Sequence, residues 1–355
     1  VPEETLYKHK PHVVTDIVRG MVKSMRQQII AWGGEVRFGA KITDFVIENG
    51  ALQGVVVNGE ETIPTEVVIS GIGHSARDTY EMMYKRQVDM SPKPFAIGVR
   101  IEHDQALSDA AQYGVEPGEL GLGAAEYSLK YHDPDTGRAA YSFCMCPGGQ
   151  VVASASEEGG VVTNGMSLYA RDSGVANSAI VVSVGPDDFG SHPLDGVAFQ
   201  REWERKAFEL GGRNYGAPIQ TVGDFLGRSN NTEEVLAEKV DNAYGKAYSY
   251  APKVVPADMH ACLPDYVTSV LEKALPYWGR RIKGFDGDRV CMTGVETRTS
   301  APLRIARDEN RISPSLKGLY PVGEGAGYAG GIMSAALDGA ETAIMMMATY
   351  APFKG

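Results

Sequence analysis

Near the C-terminus the chain carries Gly318-Leu319-Tyr320-Pro321-Val322-Gly323-Glu324-Gly325-Ala326-Gly327-Tyr328-Ala329-Gly330-Gly331-Ile332. Gly325, Gly327 and Gly330 have the G-x-G-x-x-G spacing that lets a backbone approach a pyrophosphate where a strand runs into a helix. The full fingerprint needs a second strand that delivers an acid to the ribose. After Gly330 the sequence reads as one helix to Gly355, so the expectation is a strand-to-helix turn and not a primary dinucleotide loop. Such a turn still presents unpaired N–H groups and the positive end of a helix dipole to an anion or a carbonyl oxygen. Glu324, at the strand's end, suits sugar hydroxyls. Ala335, Ala336, Gly339 and Ala343 give the helix a small-residue face. The plainer reading is tight packing and a solvated carboxylate.

A second turn, Gly71-Ile72-Gly73-His74-Ser75-Ala76, follows a strand and enters a helix, which fits the relaxed G-x-G-x-x-A form. It reads as a strand-end turn beside a ligand. Arg298, Thr299 and Arg304, in TRTSAPLR, could hold an anionic substrate or an electron-rich ring edge, or form a solvated cluster with Asp308 and Glu309. Cys144 and Cys146 could form a disulfide or supply two metal ligands, and on a regular strand they read as neighbouring buried small residues. Cys262 and Cys291 add no matching spacing, so no metal site is expected. His74 and His103 read as surface or satisfied histidines, and Met345 to Met347 as packing at the end of the last helix.

These residues need elements to position them. Thr15 is the expected cap of a helix carrying Ile17, Met21, Met25, Ile29 and Ile30, stopped by Gly33-Gly34. EVRF, KITDFVIE, ALQGVVVN and ETIP, punctuated by Asn49-Gly50 and Asn58-Gly59, predict an antiparallel meander. Residues 66–70 predict a buried strand, followed by a helix opened by Ser75. The stretch from about 94 to 290 mixes strands (PFAIGVRIE, AAYSFCMC, GQVVASAS, SAIVVSV) with helices over VAFQREWERKAFELGG and LPDYVTSVLEKALPYW, which is an α+β pattern.

The 355 residues are 43% hydrophobic and 22% charged, with a net charge of -11. That balance opposes phosphate-backbone binding, so nucleic acid is not an expected partner. No apolar run is long enough to span a bilayer, and four scattered cysteines make no disulfide framework. A cytoplasmic protein acting on a small molecule is the expectation.

GIGHSARDTYEMM, KPFAIGVRIEH, YSFCMCPGGQVV, EEGGVVTNGMS, VETRTSAPLRI and GLYPVGEGAGYAGGIMSAALDG together resemble the bacterial FAD-dependent dehydrogenases called NAD(FAD)-utilizing dehydrogenases. The likeness runs from KHKPHVVTDIV to the end. It implies an α/β plus α+β protein: a Rossmann-like FAD-binding domain in non-contiguous segments, 1–91 and 289–355, with a mixed α+β substrate domain, 92–288, inserted. By resemblance Glu324 takes the place of a ribityl-contacting Asp. FAD contacts are then expected from Gly71, Gly73, Arg298, Thr299, Gly323, Glu324, Gly325, Gly327, Gly330, Gly331 and Ile332, with Lys10 near the ring. The family's first strand, glycine turn and helix are not found in residues 1–34, so FAD is expected to bind this chain weakly or not at all. The implied function is the C-terminal portion of a flavin-dependent oxidoreductase with NAD(P)H as a candidate donor. The alternative is a non-catalytic binding or scaffold module that has lost the cofactor. No catalytic acid or base is assigned.

Overall fold

The computed structural model of the chain describes residues 15–114 and 121–350. The chain forms two compact units. One contains 15–36, 97–183 and 202–297, and the other 37–96, 184–201 and 298–350. Residues 15–36, grouped by sequence with the meander in 1–91, belong to the first unit. Residues 184–201, placed by sequence in the middle section, belong to the second unit.

The first unit is built on a seven-stranded sheet in the order Val254–Pro256, Ala217–Thr221, Cys291–Glu296, Phe95–Asp104, Val175–Val184, Ala139–Cys146, Lys130–His132. It is mixed: Val254–Pro256 runs parallel to its neighbour, while Cys291–Glu296 runs antiparallel to both of its own. Phe95–Asp104 is buried at every position but the last, as its nearly continuous apolar run predicts for a strand covered on both faces. Gly98 on that strand is needed for close approach, since a Cβ there would lie 1.9 Å from the Ile180 carbonyl oxygen. Helix Asp265–Gly279 buries Val267, Val270, Leu271, Ala274, Leu275 and Trp278, a stripe at helical spacing. Each of its larger apolar side chains contributes roughly 2 kcal/mol on burial. The expected first helix spans Thr15–Ala31 and leaves Val22, Met25, Ile29 and Ile30 exposed.

In the second unit the meander forms as Ile42–Glu48, Ala51–Val57 and Glu61–Pro64, all antiparallel. Both Asn-Gly turns have positive φ at each residue, 51° and 75° for Asn49 and Gly50, 54° and 76° for Asn58 and Gly59, which suits two-residue hairpins. EVRF is not a strand, and Phe38 is exposed. The strand after the meander is Val68–Ser70, and helix Arg77–Lys85 follows it. Ser75 does not cap that helix: Ala76 precedes it without a side-chain cap, and the helix is held by burying Arg77, Tyr80 and Met83 one turn apart. The unit's core joins Phe45, Leu52, Val55 and Val57 of the meander to Tyr80, Met83, Leu303, Ile305 and Leu319. Met345 and Met347, expected to pack at the end of helix Ile332–Thr349, are exposed instead, because that helix turns only Asp338 and Thr342 fully inward.

Candidate functional site

Strand Leu319–Pro321 lies parallel to Val68–Ser70, pairing Leu319 with Val68, Tyr320 with Ile69 and Pro321 with Ser70. Parallel pairing sends both glycine turns out of the same, C-terminal, end, which is where open α/β sheets bind ligands. Gly73 and Gly323 hold φ of 72° and 73°, a region that favours glycine. The turns touch: a Cβ on Gly325 would lie 2.4 Å from the Gly73 carbonyl oxygen, and the Tyr80 hydroxyl donates to the Gly325 carbonyl at 2.7 Å. Gly327 is likewise close to backbone, 2.7 Å from a Cβ to the Leu303 carbonyl oxygen. Gly325 and Gly327 are therefore explained by chain meeting chain, while a Cβ on Gly71 would make only an ordinary contact with Val322 at 3.5 Å.

Gly330 and Gly331 differ. A Cβ on Gly330 would meet nothing within 4 Å, and one on Gly331 only the Ser334 hydroxyl at 4.0 Å. Helix Ile332–Thr349 starts here without a side-chain cap on Gly331. Its first backbone bond runs from the Ala335 N–H to the Gly331 carbonyl, so the N–H groups of Ile332, Met333 and Ser334 have no partner within the helix. Ile332 is itself exposed.

Glu324, just past strand Leu319–Pro321, is half-buried, and His74 Nδ1 stands 3.6 Å from its Oε1. Burial lowers the pKa of His74 against the pull of Glu324, with the nearby Arg298 and Arg77 adding to the lowering. Of the two expectations for His74, surface or satisfied, the second fits: it is largely buried, with Glu324 and the Arg298 backbone as partners. Lys93 also belongs here: burial and the charge of Arg304 lower its pKa, and Glu324 raises it. Arg298 is buried, while the Thr299 hydroxyl donates to the Ala96 carbonyl at 2.9 Å and accepts from its N–H at 3.2 Å. The alternative cluster of arginines with Asp308 and Glu309 does not form around Asp308, which accepts from the N–H groups of Asn310 and Ile312. Lys10 lies outside the described residues.

One contributor was not singled out in the sequence. Asp338 accepts from the Gly323 N–H at 2.7 Å, from Arg307 at 2.9 and 2.7 Å, and from Arg311 at 2.7 Å. It ties the closing helix to the end of strand Leu319–Pro321, and its pKa falls to about 2, chiefly through Arg307. The available signal was an acid on the small-residue face of SAALDGAETA, where a charge is retained only if paired.

In the first unit, His103 is a satisfied core residue. Its Nε2 meets the Tyr127 hydroxyl at 3.1 Å, and burial lowers its pKa to about 4. The two cysteines of the C-x-C do not share a face: Cys144 is exposed and Cys146 buried. Cavities among the described residues of this unit include two of note. One, of about 650 Å³, is lined by Lys130, Tyr131, Tyr141 and Tyr277; the other, of about 440 Å³, by Glu102, His103, Glu238 and Arg289 among others. No helix among the described residues is long and apolar enough to cross a membrane.

Chemically, the second unit's strand ends combine a carboxylate, a half-buried lysine and an open helix N-terminus. That set suits a polyhydroxyl chain joined to a ring with an electron-rich, oxygen-bearing edge, as in the ribityl and pyrimidine portion of a flavin.

Comparison with known proteins bears on that chemistry. A protein of Clostridium beijerinckii (strain ATCC 51743 / NCIMB 8052), described as uncharacterized, is 48% identical over 343 residues, 96% of this chain. The chain spans 62% of that relative's length. A solved structure, an oxidoreductase from Methanosarcina mazei, aligns over 92% of this chain and 53% of its own at 13% identity, with a TM-score of 0.33. Residues 94–299, more than half of the chain, match the family described as FAD-dependent protein, C-terminal domain-like, and the chain belongs to that family.

Proposed function

We propose that the chain is the C-terminal portion of a flavin-dependent oxidoreductase, a dehydrogenase or reductase of a small organic substrate with a reduced nicotinamide as donor. The observation that carries this reading is the parallel pairing of Val68–Ser70 with Leu319–Pro321. In a chain of an FAD-dependent family, it sets Glu324 and the open N-terminus of helix Ile332–Thr349 at one strand end. In this proposal the two units correspond to an FAD-binding domain in non-contiguous segments and an inserted substrate domain.

The flavin, when bound, supplies the hydride or electron transfer. The chain's own residues position it. Glu324 accepts from ribityl hydroxyls, and the N–H groups of Ile332, Met333 and Ser334, with the helix dipole, favour negative charge on the ring's pyrimidine edge. Gly330 and Gly331 leave the space a side chain would fill. Lys93, its pKa lowered chiefly by burial and held against that by Glu324, adds a cation. Ile69, Ile332, Met333 and Leu337 are exposed apolar side chains of the same unit, which suits cover by further chain such as the longer relative possesses.

Replacing Glu324 tests the assignment. In the chain joined to the residues by which the longer Clostridium beijerinckii relative exceeds it, Glu324→Ala is expected to raise the dissociation constant for FAD at least about tenfold, the loss of hydrogen bonds to a charged acceptor. Thermal unfolding without FAD should stay near that of the parent. An unchanged dissociation constant, read by flavin fluorescence, would remove Glu324 from the site.

A further inference from the structure

Cys144, Met145 and Cys146 end strand Ala139–Cys146. On a regular strand, residues two apart face the same side with Cα atoms roughly 6.5 Å apart, near the upper limit for a disulfide. This strand is not regular. Phe143 pairs with Ala179 and Cys146 with Asn177, so Cys144 and Met145 together face Ser178, a β-bulge. Cys144 takes a φ of 46° within it. The kink turns Cys144 to solvent and leaves Cys146 7% exposed, two residues along the same bulged strand end. The Cys146 thiol also donates to the Cys144 carbonyl at 3.3 Å.

The bulge is held from both sides. Arg100 Nη1 donates to the Cys144 carbonyl at 2.8 Å, and the same guanidinium is fixed by Glu296. Beyond Cys146, Gly148 has a φ of 50° and packs so closely that a Cβ would lie 1.8 Å from the Arg171 carbonyl oxygen. An exposed thiol with a second thiol fixed behind it is the arrangement of an attacking and a resolving cysteine. Cys262 and Cys291 are buried singly, one against Met259 and the other against the Arg289 carbonyl.

We propose that Cys144 and Cys146 are a dithiol–disulfide couple that exchanges with small organic disulfides. The Cys144 thiolate attacks one sulfur of RSSR; the S–S bond breaks, and RS⁻ leaves and takes a proton to become RSH. The mixed disulfide on Cys144 is then attacked at Cys144 Sγ by Cys146, which has given its proton to solvent, and the second RS⁻ leaves and is protonated. In sum the protein dithiol is oxidised by two electrons and RSSR is reduced to two RSH. The hydrogen bond to Cys144 and burial both raise the Cys146 pKa, which suits the resolving position and not the attacking one. The couple lies wholly within the first unit and does not depend on the flavin reading.

Oxidised glutathione serves as probe, followed by acid quench, alkylation and peptide mass analysis. The peptide with Cys144 and Cys146 is expected to lose both alkylation sites at least about tenfold faster than Cys262 or Cys291 loses its own, as an internal disulfide reversed by dithiothreitol. Cys146→Ser should stop at a glutathione adduct on Cys144. Cys144→Ser should leave Cys146 at least about tenfold slower than the parent pair. An adduct that persists on Cys144 in the parent chain, equal reactivity of all four cysteines, or no reaction would each overturn the proposal.

Discussion

Replacing Glu296 by alanine is expected to cost the fold about 3–5 kcal/mol, the usual penalty for leaving a buried charge without its partner. Arg100 is fully buried on strand Phe95–Asp104. Its Nε and Nη2 donate to the Glu296 carboxylate at 2.7 and 2.9 Å. Nη1 is taken by the Cys144 carbonyl and by Asn177 Oδ1 at 3.1 Å, and Nη2 also reaches Asn164 Oδ1 at 3.2 Å. Gly165 allows this crowding, for a Cβ there would lie 2.3 Å from Nη1. Glu296→Ala strips the guanidinium of its counter-charge in a place water does not reach. Arg100→Met with Glu296→Leu removes both charges and should recover most of the loss, because the desolvation cost disappears with them. Urea unfolding of the three variants measures this. A loss under about 1 kcal/mol for Glu296→Ala would mean that the pair behaves like a surface ion pair.

Glu102→Gln is expected to make the protein more stable in mild alkali. Burial raises the Glu102 carboxyl to about 7, opposed by hydrogen bonds from the Ser249 hydroxyl and N–H, the latter at 3.0 Å. Its Oε2 is buried without a hydrogen bond of good geometry. An acid whose folded pKa lies above its unfolded value favours the native state fully below the unfolded pKa, here 4.5, and that contribution is lost as pH rises through about 7. A displacement of that size corresponds to roughly 3 kcal/mol. Its neighbour His103, lowered to about 4, stays neutral over this range, and Arg100 stays charged. The parent chain should therefore lose stability between about pH 5 and about pH 8, while Glu102→Gln, which keeps an acceptor for Ser249, should vary much less. Thermal or urea unfolding across that range checks it. Parallel pH profiles for the two proteins would show that Glu102 does not titrate there.

Local features were legible in the sequence because local rules produce them. The two Asn-Gly hairpins, the buried run of Phe95–Asp104 and the stripe of Asp265–Gly279 follow from turn chemistry and periodicity. What was not legible depends on register between distant segments. The partner of Val68–Ser70 lies some 250 residues further on, so nothing near His74 shows that it will stand beside Glu324. The bulge at Cys144 is set by how Ala139–Cys146 pairs with Val175–Val184, which reverses the expectation that the two cysteines share a face. Arg100 and Glu296 find each other through the pairing of Gly98 with Glu296 across neighbouring strands. Of the glycines proposed for the cofactor, spacing alone could not separate Gly325 and Gly327, which make room for backbone, from Gly330 and Gly331, which face open space.

The central claim is that this chain completes a flavin site, and absorbance of the purified protein tests it most directly. The chain extended by the residues by which the longer Clostridium beijerinckii relative exceeds it is incubated with FAD, passed over a desalting column and scanned through the visible range, beside the present chain treated alike. The account predicts a flavin band that stays with the extended protein and is weak or absent for the present chain. An extended, folded protein that retains no flavin would contradict it.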